Sequence, residues 1–447
     1  MAVRGREAGS AAIGGPSGAG AGASPKLDEM PSEVALAAPP EIFADTLSEY
    51  VRGWWRRVRS GDSGVVPVVI GLVVIVLVFE LKTSLYLSAG NLVNLFNQAV
   101  VFILFAIAEV FVLLLGEIDL SVAFNAGIGA GLMGALVAPP YNLPWWLCIL
   151  AGVGVTTSIG LIQGLLITRL RLPSFIVTLA GYIGLNGVML WMFDSFSVAV
   201  GGVISISNHV MVDLVGYSMS AFASWVTMIA VVALWGTYTV LRESRRRASG
   251  LVTPPMSLTL VKVGAVAVAG VVVVFICNVN RGTAGGTKVE GVPWSIPILL
   301  VIFSLASLLL GRTRFGRYIY AIGGNSEAAR RAGINVQLVR TVAFGLSGLM
   351  AGLAGLMLLS QLASISTDID PSYVLYAVAA AVIGGTSLFG GRGKPLHGVL
   401  GGLVIAAVYN GIFLINLGTA ANYMVVGVVL IVAVTVDSLA RGRQRAA

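Results

Sequence analysis

After residue 65 the chain alternates between apolar runs of about 17 to 25 residues, long enough to cross the hydrocarbon core of a bilayer, and short polar junctions. The runs fall near 65–81, 98–116, 120–138, 145–168, 174–193, 221–241, 258–277, 294–311, 341–360, 373–389, 396–416 and 421–438. This pattern predicts an all-α, polytopic integral membrane protein with about ten to twelve transmembrane helices. Two places disturb it: the segment Gly116-Glu117-Ile118-Asp119-Leu120-Ser121 and the glycine-rich stretch 384–393. Backbone at membrane depth must be buried in protein or line a wet cavity, so each reads as a broken or re-entrant helix.

The polar ends complete the layout. Residues 1–50, rich in Gly, Ala, Ser and Pro, hold no apolar run of secretory length and are expected to form a disordered cytoplasmic tail. Trp54, Trp55, Arg56, Arg57 and Arg59 then suit the headgroup layer ahead of the first span. A transmembrane domain is expected over 51–440, with a loop at 312–340 and a short cytoplasmic tail at 441–447. With the N-terminus inside, the cytoplasmic junctions receive Arg52 to Arg59, Arg169, Arg171, Arg242, Arg245 to Arg247, the six arginines of 312–340, Arg392, Lys394 and the C-terminal arginines. The opposite side receives Lys82, Arg281 and Lys288. This asymmetry is the orientation signal of a cell-membrane protein with both termini cytoplasmic.

Composition agrees. At 57% hydrophobic and 11% charged residues, with mean hydropathy +0.92, the chain has too little polar surface for a soluble domain. The net charge of +8 does not point to nucleic acid, because the basic residues flank apolar runs without aromatic interleaving. Cys148 and Cys277 lie far apart inside apolar runs and read as packing residues. With only His209 and His397, the parts for a metal cluster or a catalytic triad are missing, so no enzyme, cofactor or metal is expected. Gly390-Gly391-Arg392-Gly393-Lys394-Pro395 lacks the spacing of a phosphate loop.

Candidate chemistry clusters near the first break. Glu117, Asp119, Ser121 and Asn125 either meet substrate hydroxyls or serve the following helix, Asp119 as its N-cap. The neighbouring glycines 127–134 suit close helix packing. Glu109, mid-span, either faces a polar cavity or is a protonated carboxyl bonded to another helix. Asn94, Asn97 and Gln98, and Ser174, Thr178 and Asn186, either line a pathway or bond to backbone and neighbouring helices.

Several segments carry a family resemblance. Leu85 to Asn91 with Asn94-Leu95, Glu117 to Val122, Leu172 to Gly181, Phe315-Gly316-Arg317 with Ile319 to Asn325, Glu327 to Arg330 with Gly333 to Val336, and Ile383 to Leu388 follow one another in order. In these the chain resembles the permease subunits of ATP-binding-cassette monosaccharide importers of the ribose/xylose type, and the xylose permeases most. That family continues its Asp-Leu-Ser-Val motif with glycine, whereas Ala123 and Phe124 follow here, which narrows the pathway or alters sugar preference.

The resemblance implies a pore built with a second permease protomer, as a homodimer or a heterodimer, together with a pair of cytoplasmic ATPase subunits and an extracytoplasmic sugar-binding protein. It implies that Asn325, Glu327, Ala328, Ala329, Arg330, Arg331 and Gly333 form a coupling helix docked on the ATPase. Asn97, Glu109, Glu117, Asp119, Ser121, Asn125, Ser174 and Thr178 are the pathway candidates. The competing reading is a proton-coupled secondary sugar transporter, with Glu109, Glu117 or Asp119 as proton carrier.

Overall fold

The chain divides into two units, residues 1–43 and 44–447. The computed structural model describes residues 65–196, 198–250, 255–282 and 288–416, with isolated positions elsewhere. The expected N-terminal tail, the Trp54–Arg59 segment, most of the last apolar run and the C-terminal tail lie outside the described residues.

Helices α1 (Val66–Lys82), α2 (Ala89–Leu113), α3 (Val122–Val137), α4 (Trp145–Arg169) and α5 (Ser174–Ser195) come first. A strand β1 (Val203–Ser205) and a short helix α6 (His209–Gly216) follow, then the hairpin α7 (Ala221–Ala248) and α8 (Met256–Cys277). The second half runs α9 (Ser295–Arg312), α10 (Arg314–Gly324), α11 (Ser326–Arg331), α12 (Val336–Leu362), β2 (Ser364–Ser366), α13 (Ser372–Ile383) and α14 (Pro395–Leu414). Among the described residues eight helices are long and apolar enough to span a bilayer, and α3 and α13 are shorter apolar helices. The protein is a polytopic all-α membrane protein.

Burial ranks these helices. The most apolar window of α2 is 89% buried and that of α12 78%, whereas α7 and α8 each bury only 11%. A helix hydrophobic on every side and enclosed by protein is a bundle core, so α2 and α12 are the central rods and the α7–α8 hairpin is peripheral. Small residues set the closest approach. A Cβ at Gly160 of α4 would lie 2.2 Å from the Phe344 carbonyl oxygen, and one at Gly348 of α12 2.3 Å from that of Thr156. Only glycine at these crossings lets the α4 and α12 backbones touch, which is how helices associate where lipid removes the hydrophobic drive. Gly129 of α3 meets Thr156 in the same way, in line with the packing role expected of that glycine run.

Contacts sort the junctions into two rims. One gathers Leu114–Leu120, the α4–α5 turn, α10, α11 and the segment 384–394, because Gly391 N–H donates to Leu114 O (2.9 Å) and Arg340 pairs with Glu117 (3.4 Å). The arginine-rich end of α7 joins it through Arg312, which donates to the Tyr238 hydroxyl. The other rim gathers β1 and β2, paired antiparallel with Ile204 opposite Ile365, α6, and the 278–294 loop that hydrogen-bonds to Met219. Arg169, Arg171, Arg312 to Arg340, Arg392 and Lys394 fall on the first rim, Arg281 on the second.

Helix bounds differ from the sequence reading where polar residues sit inside helices. The second span begins at Ala89, not 98, because Ser88 caps it by accepting from Asn91 N (3.3 Å), and Asn91 and Asn97 find partners on α14, α6 and α9. The tenth run ends as helix at Ile383, where the positive φ of Gly385 (110°) turns the chain out. Both expected breaks are present. The β1–β2 clip carries no sequence signal of its own.

Candidate coupling and translocation site

A buried polar knot closes the first break. Gly116 (φ 75°) ends α2, and Ser121 stands at the N-cap position of α3 without a side-chain capping bond. Asp119, expected as the N-cap, instead folds its carboxylate over the turn. Its Oδ1 accepts from Ser121 N (3.0 Å) and Ser121 Oγ (2.6 Å), and its Oδ2 accepts from Ser347 Oγ of α12 (2.8 Å). Gln163 of α4 extends the knot, with Nε2 donating to Ser121 Oγ at 2.9 Å. The buried carboxyl is pinned by three donors, and through it and Ser121 the helices α3, α4 and α12 are cross-linked.

The other candidates separate around this knot. Glu109 is fully buried, neither carboxyl oxygen has a hydrogen bond of ordinary geometry, and the polar group acting on it is Asp119. Asn125, one turn along α3, donates to Thr156 O (3.1 Å) while its Oδ1 stays unpartnered. Thr178 bonds back to Ser174 O (2.9 Å) and on to Ile118 O (3.2 Å), tying α5 to the break as a packing residue would. Glu117 and Ser174 line a cavity on the basic rim. Asn97 is not part of the cluster: it bonds Val215 O (3.4 Å) and Ser295 (3.0 Å) near the other rim, about 18 Å along α2 from Glu109. Phe124 packs edge-to-face on Tyr182, ring centroids 4.8 Å apart.

The two breaks meet beneath α10 and α11. Gly116 abuts Phe389 and Gly390, and Gly323, near the end of α10, is wedged between them. A Cβ on Gly323 would lie 1.8 Å from Leu114 O and 2.5 Å from Gly391 N. Tyr320 adds a hydrogen bond to Gly393 O (2.7 Å). From this seat α11 projects outward. Asn325 caps it by accepting from Ala328 N (2.9 Å), and Glu327 in the first turn grips Arg330 (2.8 Å) and Arg331 (3.2 Å). The Arg330 hydrogen bond holds the Glu327 carboxyl below its ordinary range. Ala329 alone is buried; the rest of the helix is exposed. Gly333 (φ 83°) ends it, with Ile334 N donating to Ala329 O and Gly333 N to Arg330 O, the paired bonds of a Schellman stop. No atom of this chain lies within 4 Å of a Cβ built there, so within the chain Gly333 serves backbone conformation.

Residues 91–434 match the family described as the permease component of branched-chain amino acid transport systems. The chain belongs to that family. It is 32% identical over 385 residues to the xylose transport system permease protein XylH of Haemophilus influenzae, covering 86% of this chain and 98% of the relative. To the protein of the same name from Escherichia coli K12 it is 31% identical over 414 residues, 92% and 98% covered. The ribose import permease protein RbsC of Escherichia coli K12 is 30% identical over 256 residues, covering 55% of this chain and 78% of the relative. No solved structure matches the chain.

The protein is thus a cell-membrane permease, a transport subunit and not an enzyme. Sequence reasoning about the permease missed the residues that complete its knot, Gln163 and Ser347, and the ion-pair partner Arg340. Gln163 was findable as a lone amide inside an apolar helix. Ser347 was not, since serine in a membrane helix usually bonds to its own backbone.

Proposed function

We propose that this permease imports xylose or a closely related monosaccharide as the membrane subunit of an ATP-binding-cassette system. Its cytoplasmic partners are ATPase subunits, its outer partner a sugar-binding protein, and a second copy completes the pore. The observation that carries the reading is the seat of α11: an exposed, doubly capped helix whose base, at Gly323, bears on both helix breaks at once. Matches that cover 98% of two relatives named for xylose transport support the sugar. The basic rim, by its charge, is the cytoplasmic one, and both termini lie on that side.

Work done on α11 reaches the interior through the wedge. Moving Gly323 displaces Leu114 and Gly391 together, because neither backbone has room to stay. Leu114 leads into the Asp119 knot, and Gly391 leads into α14. The helices α2, α3, α12 and α14 therefore respond as a unit, shifting the permease between inward- and outward-open populations as nucleotide binds and leaves the ATPase. Asp119, Ser121, Asn125 and Glu109 sit where that shift is felt and where sugar hydroxyls would find acceptors.

The test is transport by reconstituted components. Proteoliposomes holding permease, ATPase and binding protein are expected to accumulate labelled xylose only with ATP. Accumulation by the permease alone under an imposed proton gradient would overturn the proposal in favour of a secondary transporter, a reading its family membership does not favour.

A further inference from the structure

A cavity of about 470 Å³ opens on the basic rim beside α11, lined among others by Arg171, Arg330, Arg340, Glu117, Ser174 and Gln337. Its size is that of a small-molecule site. The charge of the lining is lopsided: three arginines against one carboxylate. Glu117 reaches Arg340 through one terminal nitrogen (3.4 Å) and leaves Arg340 Nε buried without a partner. Arg330 leans on Glu327, outside the cavity, while Arg171 makes no ion pair among the described residues. Arg171 is held at φ 55°, a left-handed backbone that a non-glycine residue adopts only when its surroundings fix it.

Backbone dipoles add to the side chains. The 22-residue α5 starts at Ser174 and the 27-residue α12 at Val336, and both starting turns border the cavity. Pro173, ahead of α5, offers no side-chain cap, so the first amides of that helix are open to an anion. The carboxyl end of α4 also borders the cavity, but its Thr168 carbonyl is occupied by Gln337 Nε2 (3.4 Å).

We propose that this cavity binds a phosphate monoester, gripped by Arg171, Arg330 and Arg340 at the amino ends of α5 and α12. Planar guanidiniums meet phosphate oxygens in pairs. The group arrives on a soluble metabolite or on an anionic lipid head. Bound there, it ties α11 to α5 and α12 and restrains the movement of α11. That consequence rests on the coupling role proposed above; binding itself does not, so the two fail separately.

The experiment is calorimetric titration of the full-length permease in phosphatidylcholine nanodiscs, without ATPase, using glycerol 3-phosphate, inorganic phosphate and uncharged glycerol. Saturable binding of both anions and none of glycerol is expected. R171Q and R340Q are expected to weaken it at least tenfold, and R314Q, which alters an exposed charge away from the cavity, to leave it unchanged. R340Q strands Glu117 and can harm folding; R171Q breaks no ion pair and keeps the test decisive. Absence of saturable anion binding, or equal binding by wild type and R171Q, overturns the proposal. Repeating the titration with phosphatidic acid in the bilayer assigns the source. Loss of glycerol 3-phosphate binding there supports the site with lipid as occupant, and retained binding supports it with a soluble monoester.

Discussion

Asp119 accepts three hydrogen bonds and is almost wholly buried, so its substitutions test that network directly. Asp119→Asn turns one acceptor into a donor that faces Ser121 or Ser347, and about 1–3 kcal/mol of stability is expected to go with it. Ser347→Ala removes one donor and is expected to be milder, about 1 kcal/mol. Thermal unfolding of the two variants in one detergent should rank them in that order. The glycines give a sharper contrast. Gly323→Ala drives a Cβ into a carbonyl oxygen 1.8 Å away and is expected to lower sugar transported per ATP hydrolysed in the reconstituted system. Gly333→Ala meets open space, and its left-handed backbone costs only about 1–2 kcal/mol; near-normal coupling is expected. From sequence alone both are glycines in a polar junction. What distinguishes them is a neighbour more than 200 positions away in the chain, Leu114, which no local pattern announces.

At the element scale, α11 was legible before its surroundings were. Asn325, Glu327, the alanines, Arg330, Arg331 and Gly333 spell a capped, charged, stopped helix, and each contact is local. Because Glu327 holds both arginines, reversing them acts twice: R330E/R331E repels Glu327 as well as an acidic partner surface. Copurification of the ATPase at low salt is expected to fall, and unchanged recovery would separate α11 from electrostatic docking. The pH sign follows from Glu327. Its carboxyl titrates below the ordinary 4.5 because Arg330 favours the charged form, so the pairing is complete above the usual carboxylate range and is lost only as pH falls below it. A carbon-13 titration of the Glu327 carboxyl should give a midpoint under 4.5. The second span was less legible. Asn91, Asn94, Asn97 and Gln98 look like a junction by hydropathy, yet they are helical because partners on other elements take up the polar groups of Asn91 and Asn97.

For the whole molecule, burial divides the helices in a way hydropathy does not. α8, with a mean hydropathy of 2.7, buries 11% of its window, while α2, at 2.2, buries 89%. Lipid and protein interior are equally apolar solvents for a side chain, so hydrophobicity finds a span but not its neighbours. Glycine at crossings is the better guide to the centre, as α4 and α12 illustrate with Gly160 and Gly348.

The sequence by itself determined that this chain lives in a bilayer, which rim is basic, where the two helices break and what α11 is, since each rests on length, charge or nearest-neighbour contacts. Tertiary structure alone decided that the two breaks touch, that Gly323 wedges between them, that Asp119 and Ser121 together tie three helices and that three arginines from separate segments line one cavity. These are meetings of residues distant in sequence, fixed by how backbones pack, and packing is a property of the assembled bundle.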